Sequence, residues 1–122
     1  MIKLTFCLTR LPHLSRAEFQ DYWRNHHAPL VAQHKDALRI KRYVQVHAAP
    51  EELNEPLRGP RGAPEGYDGI AELWWDSPED LNRDDPAARE AGRILLEDER
   101  KFIDLSKSPL WFNQEHEIIN EL

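Results

Sequence analysis

Two adjacent histidines, His26 and His27, stand in the stretch DYWRNHHAPL at residues 21–30. A neutral imidazole, titrating near pH ~6.5 when unperturbed, can take a carbon-bound or phenolic proton, and a second group can return it to a carbonyl oxygen or a leaving hydroxyl. That is the chemistry of enolisation, dehydration or ring closure. A third histidine, His116 in QEHEII, is the candidate to assist. Phe19, Tyr22 and Trp23 would supply walls for a flat, apolar or phenolic molecule, and Trp74 is a further candidate lining residue. Glu72 or Glu115 would orient an imidazole, and Tyr43 would donate to a developing oxyanion. Against this stands a simpler account: a histidine on the apolar side of a helix is more often a core or capping group, and aromatic residues at helical spacing are more often core.

The elements that must position these groups are legible from periodicity. In residues 2–9, Ile2, Leu4, Phe6 and Leu8 alternate with Lys3, Thr5, Cys7 and Thr9, which predicts a strand. Ser15 and Glu18 have capping-box spacing, and Leu14 with Phe19 suits a hydrophobic staple, so a helix is expected from Arg16. Counted at ~100° per residue from Phe19, its inner face carries Tyr22, Trp23, His26 and Leu30, with His27 at the edge. Pro29 predicts a kink or break near residues 26–28 that re-aims both imidazoles, so which of them faces inward stays open. A second helical piece is expected from Leu30 to about Ala37.

LRIKRYVQVHA and GIAELWWD predict the next two strands, and the adjacent Trp74 and Trp75 must face opposite sides of the second. Between them residues 49–66 carry four prolines and three glycines and predict a long loop, a lid or an interface arm. Ser77 and Pro78 suit a helix start. A longer helix is expected from about Pro86 to Asp104, with Ala91, Ile94, Leu95, Phe102 and Leu105 buried, followed by a last strand, SPLWFNQEHEII. His34 and His47 read as surface residues.

The order βαββαβ is the ferredoxin-like α+β pattern, a four-stranded antiparallel sheet with helices on one face. A mostly apolar or aromatic open face would need cover, for which a second copy packed sheet to sheet is the natural choice. The 122 residues, 40% apolar and 31% charged, suit a single domain over 1–122. Twenty-two acidic against sixteen basic residues, net charge −6, leave no phosphate-neutralising stripe, so nucleic acid is not an expected partner. No apolar run approaches membrane-spanning length, Arg10 interrupts any leader-like stretch, and Cys7 is single, which together suggest a cytoplasmic protein without membrane contact. None of the spacings HxH, HxxxH or HExxH occurs, so no metal site is expected, and RGPRGAPEG precedes a strand without the context of a phosphate loop.

Several ordered motifs resemble the EthD-like family of the dimeric α/β-barrel superfamily: YWRNHHAPLV, YDGIAELWWD, DERKFID and QEHEII. Its Trp-x-x-x-His-Ala/Gly-Pro signature maps onto Trp23, His27 and Pro29, and its terminal motif onto Glu115 and His116. The doubled His26, Gln114 where relatives carry Glu, and the 49–66 insertion depart from the pattern. The resemblance implies a dimeric α/β barrel with a small cavity, and some members resemble cofactor-free dehydratases, cyclases or decarboxylases of aromatic polyketides. The function expected is therefore a cofactor-independent lyase or isomerase on an aromatic or polyketide-like substrate, with His27 as acid/base and His116 assisting. The alternative is a non-catalytic dimeric binding or accessory protein for a small hydrophobic molecule.

Overall fold

Ser15 and Glu18 close a reciprocal capping box: the Ser15 hydroxyl accepts from the Glu18 N–H at 3.0 Å, and the Glu18 carboxylate accepts from the Ser15 N–H at 2.9 Å. The helix therefore starts at Arg16, as its spacing predicts. The computed structural model describes residues 1–81 and 84–122. In it this helix continues without a break through α1 (Arg16–Tyr22), a π turn (Trp23–His27) and α2 (Ala28–Gln33). The expected kink is replaced by the π turn, in which the Ala28 N–H reaches back to the Trp23 carbonyl. Pro29 then falls in the first turn of α2, where its missing N–H is tolerated.

The strands β1 (Ile2–Leu8), β2 (Arg42–His47), β3 (Gly69–Trp75) and β4 (Leu110–Asn113) form one antiparallel sheet in the order β2-β3-β1-β4. With the helices packed on one face this is the ferredoxin-like α+β fold. β4 is shorter than SPLWFNQEHEII suggests. Its pairing with β1 ends at Lys3 opposite Asn113, and β1 itself begins at Ile2, so no strand remains for residues 115–119 to pair with. The second long helix (Pro86–Glu99) is capped by Asp85, whose carboxylate accepts from the Ala88 N–H at 2.7 Å. No helix is long and apolar enough to cross a membrane among the described residues.

Strand alternation gives the sheet two unlike faces. Phe6, Leu8 and Ala71 meet Phe19, Trp23, Phe102 and Ile103 on the helix side, while Val31, Leu38, Ala88, Ala91 and Leu95 form a second buried cluster. Trp75 belongs to the helix side, fully buried, with its indole N–H on the Leu38 carbonyl at 2.8 Å.

The open face is less apolar than expected. Trp74 lies there, sandwiched between Lys3 Nζ at 4.9 Å and the Arg42 guanidinium at 4.4 Å, and its indole N–H donates to Glu115. Lys3 pairs in turn with Glu72 and lies 3.6 Å from Glu115. The apolar part of this face is carried by residues such as Val46 and Trp111, 42% and 50% exposed.

Residues 49–66 are not a structureless loop. They hold α3 (Glu51–Arg58) and a 3₁₀ turn to Arg61. Two glutamates in the first turn favour its N-terminus, and Arg58 pairs back to Glu51, whereas the internal Pro56 conceals the helix from a breaker-based reading. We number the second long helix α4.

Candidate functional site

The π turn decides which histidine turns inward. A π turn advances each residue through a smaller angle than the α-helix, so the four steps from Trp23 complete about one full turn and place His27 beneath Trp23. Accordingly His27 is buried at 6% exposure and His26 is exposed, stacked outside on Tyr22 at 5.1 Å. The regular-helix phase that put His26 inward is corrected by that one extra residue.

His27 Nδ1 lies 2.7 Å from Asp98 Oδ2, and its ring packs 5.0 Å from that of Phe102. Burial pushes the imidazole pKa down, only partly opposed by Asp98, so the ring is neutral at pH 7. A neutral ring beside a carboxylate must donate from Nδ1, which leaves Nε2 as the basic nitrogen. Burial would raise Asp98, but hydrogen bonds from Tyr22 and His27, with Lys101 nearby, outweigh it and hold the carboxyl below its ordinary value. Tyr22 donates its hydroxyl to Asp98 Oδ1 at 2.6 Å and stays protonated, its pKa pushed up to about 12 by burial and the carboxylate.

His27 lies on the wall of a cavity of about 510 Å³ between the helices and the sheet. Its lining is mostly apolar, including Trp23, Val31, Leu73, Trp75 and Phe112, and among its described residues there is no lysine or arginine. Tyr43 and Glu99 bring the other polar side chains. Gln45 Nε2 donates both to the Tyr43 hydroxyl at 2.7 Å and to the Trp23 carbonyl at 2.9 Å, so β2 braces the π turn and leaves the tyrosine its own proton to donate. Burial raises the Tyr43 pKa and keeps that proton in place. Gln45 Oε1 accepts from His47 Nε2 at 2.8 Å, and the His47 ring stacks on Trp23 at 4.3 Å; His47 is part of the brace rather than a surface residue.

The sequence candidates are thus divided by the fold. His27, Trp23 and Tyr43 share the cavity. Phe19 is fully buried behind it, and Tyr22 acts on Asp98 instead of lining it. Glu72 and Trp74 lie on the opposite face of the sheet, because their register pairs them with Thr5 and Lys3. His116 is exposed on the segment beyond β4, which ends at Asn113, and is not among the residues that line the His27 cavity. Neither Glu72 nor Glu115 orients an imidazole: both lie about Lys3. None of residues 49–66 lines the His27 cavity; they border a separate hollow of about 720 Å³ with Arg10, Arg16, His47 and Tyr67. Among the described residues no three His, Cys, Asp or Glu side chains cluster as metal ligands.

Two carboxylates at this site escaped the sequence reading. Asp98 follows Ala91 by seven residues and Leu95 by three, so an acid sits in phase with the buried stripe of α4, a signal that was available. Glu99, its neighbour, follows Leu95 by four residues and carries the same mark. Its pKa is raised to about 7 by burial first and by the adjacent Asp98 second, with Arg100 opposing.

The EthD domain profile matches residues 11–106. Among solved structures, an ethyl tert-butyl ether D (EthD) family protein from Bacillus halodurans is 16% identical, with a TM-score of 0.59 over 95% of this chain and 100% of that one. An EthD-like protein from Ralstonia eutropha is 18% identical, TM-score 0.55, over 99% and 94%. A protein from Bacteroides fragilis, described as dimeric, of unknown function and ferredoxin-like, is 11% identical, TM-score 0.53, over 93% and 95%. At such identities these structures show likeness of fold. No curated protein matches significantly. With the profile spanning most of its length, the chain belongs to the EthD domain family.

Proposed function

We propose that this protein is a small-molecule lyase or isomerase of dehydratase or cyclase type, acting on an aromatic or polyketide-like substrate, with His27 as its general base. The observation that carries this reading is the buried Asp98–His27 pair on the wall of an apolar cavity, where Nδ1 is tied to a carboxylate and Nε2 is left basic. Tyr43, whose hydroxyl already accepts from Gln45, is placed to donate to a substrate oxygen, and Trp23 and Trp75 supply flat walls. Proton transfer of this kind requires no cofactor.

The same reading includes a homodimer joined through the open sheet face. The exposed Val46 and Trp111 support it, as does the dimeric description of the Bacteroides fragilis protein.

The test is hydrogen–deuterium exchange at the carbon positions flanking the carbonyl of 2-tetralone, a flat neutral ketone, followed by proton NMR in D₂O. Tryptophan fluorescence reports its binding. The full-length protein is expected to accelerate exchange, and His27→Ala to return it to the buffer rate while binding persists. Binding in both proteins with acceleration in neither would identify a sheltering protein without catalysis.

A further inference from the structure

Glu99 shares the His27 cavity, and nothing in the preceding assignment uses it. Tyr43 from β2 and His27 from the π turn are the polar side chains that line the cavity with it, and its chain neighbours are Asp98 on α4 and the C-cap residue Arg100. Arg100 is exposed, and no cation lines the cavity among its described residues, so an ionised Glu99 would face apolar walls and its own neighbour's negative charge.

Resting on the base assigned to His27, we propose that Glu99 is the partner acid of the reaction, entering as its carboxylic acid and protonating the oxygen of an uncharged, carbonyl-bearing substrate. The two ends of one proton transfer then come from the two helices that flank the cavity. His27 Nε2 takes the proton from the carbon next to the carbonyl, and the C–H electron pair becomes the new carbon–carbon π bond. The carbonyl π pair moves onto oxygen, which takes the proton of Glu99. An enol, an imidazolium and a carboxylate result, with no net charge created, and a proton passed from imidazolium to carboxylate through water resets the pair. The absence of a lysine or arginine in the lining also makes the cavity a poor host for carboxylate substrates, which the product-state carboxylate would repel.

The environments support this division of labour by reversing the usual order of the two groups. His27 is held below its ordinary value and Glu99 is raised to about 7, so just below neutrality the proton resides on the carboxyl and not on the ring. The exchange rate should therefore rise as His27 deprotonates and fall as Glu99 ionises through about pH 7.

The experiment repeats 2-tetralone exchange with Glu99→Gln and Glu99→Asp in the full-length chain. Glu99→Gln is expected to bind the ketone as wild type does, to exchange it about tenfold or more slowly, and to lose the alkaline fall in rate. Glu99→Asp, which still titrates, should keep that fall. An infrared difference spectrum, wild type minus Glu99→Gln at about pH 6, should show a protonated carboxyl band. Exchange by Glu99→Gln at the wild-type rate with the same alkaline fall overturns the proposal while leaving His27 as base, and a missing carboxyl band overturns it as well. If the wild type itself exchanges no faster than His27→Ala, the base assignment fails and this proposal falls with it.

Discussion

Asp98 accepts the Nδ1 proton of His27 at 2.7 Å, joining residues 71 apart in the chain inside the protein. The carboxylate is held ready by Tyr22, the residue immediately before the π turn on the same continuous helix, so one carboxylate fixes both the tautomer and the orientation of the ring.

Asp98→Asn should therefore lower the His27 pKa further, since the group that opposes the burial effect is removed. It should also free the ring to adopt either tautomer, and slow 2-tetralone exchange by about 10²-fold or more. NMR titration of the His27 ring protons measures the first effect and the exchange assay the second. An unchanged titration would detach Asp98 from His27.

Glu99 also makes stability depend on pH. Its folded pKa, about 7, lies above the unfolded value near 4.5, so between those limits the native state holds the proton that the unfolded chain has released, and stability falls as pH rises. Glu99→Gln, which resembles the protonated acid, should match wild type below about pH 4 and exceed it above about pH 7 by roughly 1–3 kcal/mol, the full linkage value being reduced for partial solvent access. Denaturant unfolding at the two pH values reads the difference. His27 contributes with the opposite slope: its depressed pKa gives stability that is present above about pH 6.5 and lost as pH falls through the folded value.

Gly69 tests the rigidity of the cavity wall. A Cβ at this position would lie 2.6 Å from Trp23 Cη2 and 2.8 Å from the Val46 carbonyl oxygen. The ring cannot retreat without disturbing its stack on His47. Gly69→Ala should cost about 2–3 kcal/mol, measured by urea denaturation. A neutral result would show that Trp23 moves freely.

Placing a charge on the open sheet face tests assembly. Val46→Asp should convert a dimer to monomer in sedimentation velocity while leaving the circular dichroism spectrum unchanged, because the side chain is 42% exposed in the single subunit. A variant that sediments as wild type does would move the interface elsewhere.

Much of this molecule is legible along the chain because its strands alternate cleanly and Ser15 with Glu18 marks a helix start. The parity of the two tryptophans is equally plain, yet parity alone does not say which of them meets the helices; that is fixed only by the register of Trp75 against Ile2 and Trp74 against Lys3. For a different reason, helical phase alone does not pick out the inward histidine, which only the family signature marks as His27. One additional residue per turn between Trp23 and Ala28 changes the phase, and no residue type announces a π turn as glycine announces a left-handed one. His116 was misplaced because a strand lasts only as long as its neighbour, a property of the pair and not of the segment.

The same π turn divides the interior. At its start and before it Trp23 and Phe19 close one buried cluster with Phe102, and downstream Val31 closes another with Ala88, Ala91 and Leu95. The cavity touches both, through Trp23 and Ile103 on one side and Val31 and Leu95 on the other. It is a seam between two small cores, both of which Tyr43 packs against, and a molecule bound there would act as mortar, its arrival expected as slower amide exchange in both halves.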